Sequence, residues 1–560
     1  MTILTRGAIA LAGSSLTLKT GEWRLQRPAH RYRSAPCHVA CPAGEDVQAY
    51  LARLAEGDPK AAWETLVRAN PLPAVSGRVC PHPCESACNR RQFDEPIAIH
   101  CVERFLGDEA IRQGWNYAVA KPRPAAAPVA VVGAGPAGLS TAYHLVRRGH
   151  EVALFEGEPL AGGLLRSALP PYRLPRAVLD AEVERLLAIG IKFNPCRRLG
   201  RDFTIEELQA SHAAVFLAPG AQRGREWSTD GVVPRDARAA LDILKEWVSI
   251  GALPAWRRIA IIGGGNTAID LARVFRLAGA AEVHVITFQA LPGRDVAPGD
   301  AMSATEREIR QAIEEGVIIH ERRGLRRLII RGERVVGAEM VHMKEIERPD
   351  GSRRPVAFEG TETILHVDQV IPAIGQEVDP AGLEELLAGR PFFAPDFWGR
   401  LENAQGVFVG GDARASGTVS RAIGDGRRAA KAIDAYLRGT ALEQPTEMAI
   451  GIAELNLNYF EHAPRAQARI RAASERTAEA EIEAGLSHAQ ATDESHRCFS
   501  CGQCLACDNC WTLCPDNAVL KTVEAAGDGS HYVFDYDYCK GCGLCAHECP
   551  PGYIVMEEEP

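Results

Sequence analysis

The sequence of 560 residues predicts an α/β core of two Rossmann-like units, the second inserted in the first, with a cysteine-rich segment at either end. Two apolar strands that run into glycine-rich turns, at 129–139 and 258–270, predict the two units. The third observation is that all of the 17 cysteines except Cys196 lie in the end segments. The cysteines therefore mark separate domains before and after the core.

Composition excludes several classes of function. The formal net charge of -9 offers no basic face for nucleic acid, because phosphate binding needs clustered lysine and arginine. No apolar run reaches the roughly 18 residues that a membrane-spanning helix needs. Disulfides are typical of small secreted domains, and the stretch 7–18 is too broken by polar residues for an export signal. We therefore expect a reducing, cytoplasmic location.

The first glycine-rich turn has the spacing of a dinucleotide-binding loop. Gly133 turns the chain, Gly135 lets a pyrophosphate approach the backbone, and Gly138 lets the helix pack closely on the strand. Pro136 and Ala137 open that helix, whose N-terminal amides attract a phosphate. The sequence therefore predicts that these five residues hold a dinucleotide.

The next strand of this unit, 151–156, ends in Glu156. A carboxylate at this place accepts hydrogen bonds from the hydroxyl pair of a ribose. The alternative is a glycine-rich turn without a ligand. Strand, glycines, helix, second strand and terminal acid together favour nucleotide binding over that alternative.

The second unit repeats the pattern with a different strand end. The residues expected to bind its nucleotide are Gly263, Gly264, Gly265, Asn266, Thr267 and Ala268. Its second strand ends in Thr287, Phe288 and Gln289, where a 2'-phosphate usually requires an arginine. Arg294 follows a few residues later and could reach the site. We predict NAD(H) in preference to NADP(H).

Two dinucleotide sites in one chain suggest a flavin and a nicotinamide that face one another. The segments 368–375 and 406–413 read as strands through which the chain returns to the first unit. The core is thus predicted to hold FAD in the first unit and NAD(P)(H) in the second.

The tail contains two cysteine runs of the C-x2-C-x2-C-x3-C-Pro type, which is the spacing of a two-cluster ferredoxin. Each run gives three thiolates to one [4Fe-4S] cube and its fourth to the other. The predicted ligand sets are Cys504, Cys507, Cys510 and Cys549 for one cube, and Cys514, Cys539, Cys542 and Cys545 for the other. Structural zinc is the alternative, but zinc sites rarely follow this rhythm.

The segment 133–435 resembles the glutamate synthase small-subunit family of FAD and NAD(P) oxidoreductases. The matching motifs are 162–165 (GGLL), 171–175 (PYRLP), 263–268 (GGGNTA) and 410–412 (GGD). The resemblance implies that Glu156 holds the FAD ribose. It implies flavin contacts from a further group, namely Gly163, Leu164, Arg173, Gly411, Asp412, Thr418 and Val419. The family usually carries Tyr-Arg-Arg where this chain has residues 287–289. This difference from the family bears on the preference for NADP, whereas the use of a nicotinamide cofactor is unaffected.

The cysteines before the core resemble the helical two-cluster domain that precedes these reductases. By that resemblance, one cube takes Cys41, Cys80 and Cys84, with Glu103 as an oxygen ligand. Cys101, two residues away, is a rival for the fourth position. Buried cysteines without a cluster are the alternative.

The second N-terminal cube lacks two of its family ligands, because the expected upstream CxxC is absent. Cys498 and Cys501, which are surplus to the ferredoxin runs, stand in the Arg-Cys-x-x-Cys phrase that the family places there. Our hypothesis is that they complete a bridging cube with Cys37 and Cys88. Vestigial cysteines at the head, or free thiols at the tail, are the alternatives. The hypothesis gives four [4Fe-4S] clusters in all and assigns Cys101 and Cys196 to none of them.

These interpretations divide the chain into five regions. They are a helical iron-sulfur domain (1–120), an FAD-binding domain (127–225 and 370–438), an NAD(P)-binding domain (226–369), a helical linker (439–495) and a 2[4Fe-4S] ferredoxin-like domain (496–560). In the linker, 466–484 alternates Arg and Glu, which is typical of a solvated helix.

The predicted function is an NAD(P)H:acceptor (ferredoxin-type) oxidoreductase. A hydride passes to the flavin, and single electrons pass through the cubes to a partner redox enzyme within a hetero-oligomer. The tail resembles subunits that accompany 2-oxoacid:ferredoxin oxidoreductases, which we take as the first choice of partner, and dissimilatory sulfite reductase, which comes second. A glutamate synthase small subunit, a bifurcating transhydrogenase subunit and a non-catalytic electron conduit remain as alternatives.

Overall fold

The computed structural model describes residues 3–6, 19–119, 128–225, 227, 238–293, 295–297, 299–347, 353–444, 448–524 and 530–559. Arg294, the arginine that could reach the second nucleotide, lies outside this part of the chain. Among the described helices, none has both the length and the apolar character needed to cross a membrane.

The head of the chain begins with two strands and continues as a helical domain. Its elements are β1 (Ile3–Arg6), β2 (Gln26–His30), α1 (Pro36–Ala40), α2 (Val47–Ala55), α3 (Pro59–Leu66), α4 (Pro73–Val79), α5 (Pro83–Ala87) and α6 (Ile99–Gln113). Helices α1, α3, α4 and α5 all begin with a proline, whose fixed φ suits the first helical position. Asp46 and Asp58 cap α2 and α3 through their side chains. Helices α4 and α6 cross closely, because a Cβ on Gly77 would meet the backbone of Arg104.

The first nucleotide unit follows the described part of the head. Its elements are β3 (Val129–Val132), α7 (Pro136–Val146), β4 (Val152–Phe155), α8 (Leu164–Ser167), α9 (Arg176–Leu187), β5 (Lys192–Asn194), α10 (Ile205–Ser211), β6 (Ala214–Leu217) and β7 (Arg223–Gly224). Strands β3 and β6 are fully buried and apolar, as expected for central strands of a parallel sheet.

The second unit is built on a parallel sheet with an antiparallel sheet beside it. Its elements are α11 (Ala240–Ile250), β8 (Arg258–Ile262), α12 (Asn266–Leu277), β9 (Glu282–Ile286), α13 (Glu306–Glu314), β10 (Ile318–His320), β11 (Arg323–Arg331), β12 (Arg334–Glu347), β13 (Arg353–Leu365) and β14 (Gln369–Pro372). The described strands pair in the parallel order β10-β9-β8-β14, and β11-β12-β13 form the antiparallel sheet. The parallel order β10-β9-β8-β14 is the strand order found in one half of a Rossmann fold.

Strand β14 corrects one sequence expectation. The segment 368–375 was predicted to return the chain to the first unit, but Gln369–Pro372 pairs in parallel with Arg258–Ile262 of the second unit. The reason is that this apolar strand completes the buried edge beside β8. The predicted start of the returning FAD-binding segment at 370 is therefore too early.

The chain returns to the first unit after β14. The elements there are β15 (Gln376–Glu377), α14 (Glu384–Leu387), β16 (Val407–Val409) and α15 (Val419–Arg438). Strand β15 pairs with β7 at the crossing between the units. Strand β16 then adds to the first sheet, whose parallel order is β16-β6-β3-β4-β5. The second unit is therefore inserted in the first, as the sequence predicts.

The tail is joined to the head by strand pairing. Its elements are α16 (His488–His496), α17 (Asn509–Thr512), β17 (Val519–Thr522), β18 (Tyr532–Phe534), α18 (Leu544–His547) and β19 (Ile554–Glu558). Strand β1 pairs with β17, and β2 pairs with β19 along its whole length, both antiparallel. Strands β1 and β2 thus fold with the ferredoxin-like tail. Within the described part of the predicted helical domain 1–120, the α-helices begin only at Pro36.

The predicted helix at 466–484 is wrong. In the described residues this stretch is irregular, with one 3-10 turn at Ala473–Glu475 and a β-bridge between Ile470 and Glu483. Charged side chains of this stretch do not pair with one another along a helix face, because they form ion pairs with residues of other domains. Glu481 accepts from Arg78 of α4 at 2.7 Å, and the Ile482 amide donates to the carbonyl of Tyr172 at 3.1 Å. The segment 471–483 is therefore a strap across the head and both nucleotide units.

A buried ion-pair network lies under this strap. The Nη1 atom of Arg173, in the first unit, lies 2.9 and 2.8 Å from the two carboxylate oxygens of Asp270 in the second. Arg273 pairs with Glu315 at 2.7 Å, and Arg476 of the strap reaches the same carboxylate at 3.0 Å. The network therefore joins the two units and the strap through charges that water does not screen.

We expect Asp270→Ala to destabilise the protein strongly. The change leaves the buried Arg173 guanidinium without its main partner, which typically costs about 3–5 kcal/mol. Glu151→Ala is the matched control, because the Glu151–Lys192 pair is exposed and solvent screens such pairs, so that they contribute little to stability. Urea unfolding followed by tryptophan fluorescence measures both. Equal losses in the two variants would contradict the role given to the network.

Candidate functional site

The glycine loop of the first unit leaves an open space at the start of α7. Gly133 has φ +96°, and a Cβ there would overlap the carbonyl oxygen of Ala218, while a Cβ on Gly138 would overlap that of Gly133. A Cβ on Gly135 would meet only Gly163, at 3.9 Å. Pro136 and Ala137 form the first turn of the helix behind this space. The loop is therefore shaped for a pyrophosphate above Gly135.

Glu156 lies directly after β4, beside the glycine loop. Its Oε2 accepts from the Ala134 amide at 2.7 Å, and its Oε1 accepts from the Glu158 amide at 3.0 Å. These two bonds fix the carboxylate next to the loop. Its place fits the hydroxyl pair of a ribose, as the sequence predicts.

The end of β16 and the start of α15 close the same site from the other side. Gly411 approaches α7 so closely that a Cβ would lie 2.9 Å from that of Ala137. The Gly417 amide donates to Asp412 at 3.1 Å, and desolvation raises the pKa of the Asp412 carboxyl to about 6. Thr418 caps α15, and Val419 is its first residue. No cation of the described residues forms an ion pair with this half-buried carboxylate, which fits a hydroxyl-rich ligand such as the ribityl chain of a flavin.

Two other predicted flavin contacts have partners in the structure. Leu164 begins α8 and packs against the core of the second unit. Arg173, which the resemblance places at the flavin, is already bound to Asp270. Nearby carboxylates raise the pKa of Arg173 against the opposing effect of its burial. The structure therefore uses this guanidinium to join the units, and its contact with a flavin stays a prediction.

The second unit repeats the loop with polar residues above it. Gly263 has φ +137°, and a Cβ there would overlap the carbonyl of Ala373, so the turn needs glycine. A Cβ on Gly264 would lie 2.7 Å from both Thr287 Oγ1 and Gln289 Oε1, whereas the nearest atom to one on Gly265 is Ser303 Oγ at 3.5 Å. The space beside Gly265 is thus the open part of this loop.

The remaining predicted residues of the second loop are tied to neighbouring segments. Asn266 Oδ1 accepts from the Thr305 amide at 3.0 Å, and Thr267 Oγ1 accepts from Gln376 at 3.3 Å. Ala268 is fully buried in α12. The loop and helix fit a nicotinamide dinucleotide in the same way as the first unit fits a flavin dinucleotide.

The tail cysteines form two groups, each of which lines its own cavity. Cys504, Cys507, Cys510 and Cys549 line one, and Cys514, Cys539, Cys542 and Cys545 line the other. Desolvation raises the pKa of Cys545 to about 12, and the three other thiols of its group add to the rise. Four thiols gathered around one cavity suit iron, which binds them as thiolates. The two groups are those predicted from the spacing, and that each holds a cube stays a prediction.

The head contains a third group, made of thiols and carboxyls. Cys41, Cys80 and Cys84 are neighbours, and the charges of Glu103 and Glu45 help to raise the pKa of Cys41, whose largest cause is desolvation. Glu103 is therefore at the thiols, as the resemblance implies. Cys101, its rival, is a buried thiol whose Sγ lies 3.2 Å from the Nε2 of the adjacent His100.

Glu103 has buried polar partners that sequence reasoning missed. Asn70 Nδ2 donates to Glu103 Oε1 and to Glu45 Oε1, both at 2.8 Å, and Ser76 Oγ also donates to Glu103. Desolvation raises the pKa of Glu45 to about 7, and it raises that of Glu103 well above its usual range. Glu45, four residues after Cys41, was visible in the sequence only as one acid among many.

The fourth group joins head and tail, as hypothesised. Cys37, Cys88, Cys498 and Cys501 lie together, since the other three thiols help desolvation to raise the pKa of Cys37. Desolvation also raises the pKa of Cys498 to about 12 and that of Cys501 to about 11. The Asn89 side chain donates to Cys501 Sγ at 3.5 Å. The structure brings the four residues together; a cube among them stays a prediction.

The four groups follow one another from the flavin site to the tail. Ser420, the residue after Val419, has its Oγ 3.3 Å from Cys80 Sγ. Helix α1 with its C-cap, and α5 with its C-cap, each carry one cysteine of the Cys80 group and one of the bridging group. Cys501 and Cys504 are three residues apart, and so connect the bridging group to the tail. No sequence motif indicates that Ser420 would touch a thiol.

A different cluster, His82, Glu85 and His100, also has metal-ligand atoms within 4.8 Å of one another. Its carboxylate is already used, because Glu85 Oε1 pairs with His100 at 2.7 Å and Oε2 with Arg465 at 2.6 Å. The two imidazoles stack at 4.2 Å. A guanidinium on the only carboxylate disfavours a cation, so this cluster is read as support for the loop that carries Cys80 and Cys84.

Comparison with known proteins agrees with this layout. Residues 127–432 match the family described as pyridine nucleotide-disulphide oxidoreductase. Residues 26–115 match the dihydropyrimidine dehydrogenase domain II, 4Fe-4S cluster, and residues 532–552 match a 4Fe-4S binding domain. The three matches cover the core, the head and part of the tail.

Three relatives are similar over most of the chain. The NADP(+)-dependent formate dehydrogenase subunit beta of Moorella thermoacetica is 33% identical over 512 residues, which is 84% of this chain and 70% of that protein. The NADPH-Fe(3+) oxidoreductase subunit beta of Geobacter sulfurreducens (strain DL-1 / KN400) is 31% identical over 533 residues, 85% of this chain and 77% of that protein. The glutamate synthase [NADPH] small chain of Azospirillum brasilense is 31% identical over 443 residues, which is 74% of this chain and 88% of that protein.

The predicted fold class and the assignment as an NAD(P)H-dependent flavin iron-sulfur oxidoreductase are therefore confirmed. A reductase core with FAD and NAD(P) units stands between an N-terminal iron-sulfur domain and a C-terminal 4Fe-4S motif. The chain belongs to the pyridine nucleotide-disulphide oxidoreductase family, as a glutamate synthase small-chain-like FAD and NAD(P)H-dependent iron-sulfur oxidoreductase with a ferredoxin domain.

Proposed function

We propose that this chain is the electron-transfer subunit of a larger enzyme, in which electrons move between NAD(P)(H) and a partner through four [4Fe-4S] clusters. The observation that carries the proposal is the contact between Ser420 and Cys80. It joins the helix that closes the flavin site to the first of four successive cysteine groups. The last groups include Cys507 and Cys542, which are exposed and so accessible to a partner.

The residues of the chain hold and orient the cofactors. Bound FAD supplies a hydride acceptor, and bound cubes carry one electron at a time. Gly133, Gly135 and Glu156 would hold the dinucleotide half of FAD, while Asp412 and Val419 would close over it. The glycine loop at 263–268 would present the nicotinamide. The strap 471–483 and the Arg173–Asp270 pair fix the two units relative to one another.

The partner is a redox enzyme that docks at the tail. A 2-oxoacid:ferredoxin oxidoreductase stays our first proposal, because the tail end at 549–554 resembles its small ferredoxin subunits. The three named relatives are subunits of enzymes with other chemistries. Affinity purification of the native complex, followed by mass spectrometry, tests the choice. Recovery of a formate dehydrogenase, glutamate synthase or sulfite reductase catalytic chain in its place would overturn it.

Two electron acceptors distinguish the activity of the reductase core from electron transfer through the tail. We expect the isolated, anaerobically loaded chain to reduce a tetrazolium dye and an added ferredoxin with NADPH or NADH. Cys510→Ser removes a thiol of the tail and should keep dye reduction while it lowers ferredoxin reduction at least about tenfold, because loss of one ligand labilises a cube. A loaded wild-type chain that reduces neither acceptor would be a conduit or scaffold, and the proposal would fall.

The preference for NAD(H) is not supported by the comparisons. It depended on the lack of an arginine at residues 287–289. Two relatives carry NADPH in their names and a third carries NADP(+). We therefore propose NADP(H) as the nicotinamide of the second unit.

A further inference from the structure

The end of β9, where the 2'-phosphate of NADP(H) would lie, is bound to the turn that follows β10. The amide of Arg322 donates to the carbonyl of Gln289 at 3.1 Å, and the amide of Arg323 donates to that of Thr287 at 2.8 Å. Arg322 has φ +52°, a left-handed conformation that lets the chain turn sharply between β10 and β11. The fold thus brings Arg322 and Arg323, which are more than thirty residues away in sequence, to the end of β9, where residues 287–289 include no arginine.

The first unit has the same turn and shows which end of the nucleotide it faces. There the amide of Cys196 donates to the carbonyl of Glu158 at 3.2 Å, and that of Arg197 donates to Glu156 at 2.8 Å. Cys196 has φ +56°. Glu156 is the expected ribose ligand of the first unit, so this turn stands beside the adenosine ribose.

Superposing the two hydrogen-bond patterns gives the equivalent residues of the second unit. Thr287 stands in the place of Glu156, and Arg322 in the place of Cys196. The carboxylate that would repel a 2'-phosphate is therefore replaced by a neutral hydroxyl. A cation is added at the neighbouring position, which is the exchange expected on going from a ribose hydroxyl to a ribose phosphate.

The other charged groups that the structure describes in this turn, Glu321 and Arg323, are already bound to neighbouring segments. Arg323 donates its Nη1 to the carbonyl of Thr361 at 3.1 Å. Glu321, the nearest acid in the turn, accepts from the Leu291 amide at 2.7 Å. Arg322 is half-buried, and its guanidinium makes no hydrogen bond or ion pair with another part of the described chain. It is thus the guanidinium of this turn that is open to a ligand.

We propose that Arg322 binds the 2'-phosphate of NADP(H) and makes the second unit select it over NAD(H). The inference rests on the proposed function, because it assumes that this unit binds the nicotinamide dinucleotide. A planar guanidinium with several donors fits a phosphate better than any other side chain. It reaches the site from the β10–β11 turn, so a motif placed after β9 does not report it.

Binding of adenine nucleotides to the holoprotein tests the assignment without any turnover. By calorimetry, we expect the wild type to bind 2',5'-ADP more tightly than 5'-ADP. Arg322→Ala should weaken binding of 2',5'-ADP about 10- to 100-fold, the usual loss with a hydrogen bond to a charged group, and leave 5'-ADP unchanged. Arg322→Lys should recover part of the loss. Arg331→Ala, at the far end of β11, makes the same charge change and should alter neither affinity.

The outcomes separate this proposal from the one on which it rests. A wild type that binds neither nucleotide would remove the proposed function, and the role of Arg322 with it. A wild type that binds both equally, or a variant that loses both or neither, would overturn the role of Arg322 and leave nucleotide binding intact. As a second readout, the KM for NADPH should rise in Arg322→Ala while the KM for NADH stays the same.

Discussion

Replacement of Cys498 and Cys501 by serine is expected to lower the iron content by about four atoms per chain, the content of one [4Fe-4S] cube. These two thiols lie with Cys37 and Cys88 in the group between head and tail, and each has a raised pKa that ligation to iron would lower. Without them the group keeps two cysteines, too few to hold a cube. Iron and acid-labile sulfide analysis of the anaerobically purified protein measures the loss.

The variant tests the cube and not the attachment of the tail. Strand β2 pairs with β19, and Arg90 binds the carbonyl of Arg497, so head and tail stay in contact without the thiols. Cys37→Ser should give the same loss of iron from the opposite end of the chain. Cys196→Ser is the control, because that thiol is exposed and lies far along the chain from the four groups. An undiminished iron content in the double variant would exclude the bridging cube.

The parts of the fold that the sequence predicts are those set by neighbouring residues. The glycines of both loops are needed by their own turns, because Gly133 has φ +96° and Gly263 has φ +137°, which side chains rarely adopt. The cysteine runs are likewise local, and the two cavities of the tail contain the predicted ligand sets. Spacing of a few residues decides these features, so a sequence suffices to find them.

The parts that were missed depend on residues far apart in the chain. Strands β1 and β2 pair with β17 and β19 across more than half a thousand residues, which no local pattern reports. The alternating charges of 466–484 indicate a solvated helix only if they pair with one another. In the structure Arg476 and Glu481 bind carboxylates and guanidiniums of other domains, and the helix is lost.

The site shows the same division. Glu156 could be predicted because it directly follows β4, and Asp412 because it stands in a family motif, two glycines after β16. Ser420 could not, since its contact with Cys80 arises only when α15 meets the head. Glu45 could not either, because its shared partner Asn70 lies 25 residues further along the chain. Arg322 belongs with them, because it reaches the end of β9 from another strand.

Gly135→Ala is expected to weaken FAD binding so that dialysis removes much of the flavin, and to leave the fold intact. Its φ of -75° and ψ of -176° are open to alanine, and the nearest atom to the added methyl would be the Cα of Gly163, at 3.9 Å. The methyl would therefore occupy the space that a pyrophosphate needs, at a cost of about 1–3 kcal/mol, which is roughly 5- to 150-fold in affinity. Protein-bound flavin absorbance after dialysis, and the thermal midpoint of the flavin-free protein, measure the two effects.

Gly138→Ala, three residues away, is the matched comparison because it should fail for the opposite reason. Its Cβ would overlap the carbonyl oxygen of Gly133, so α7 could no longer pack on β3. We expect a large fall in the thermal midpoint of the flavin-free protein, with flavin lost as a consequence. If the open space above Gly135 is the pyrophosphate site, the two variants lose flavin alike but differ in stability. A Gly135→Ala protein that retains FAD would show that the dinucleotide does not lie over this loop.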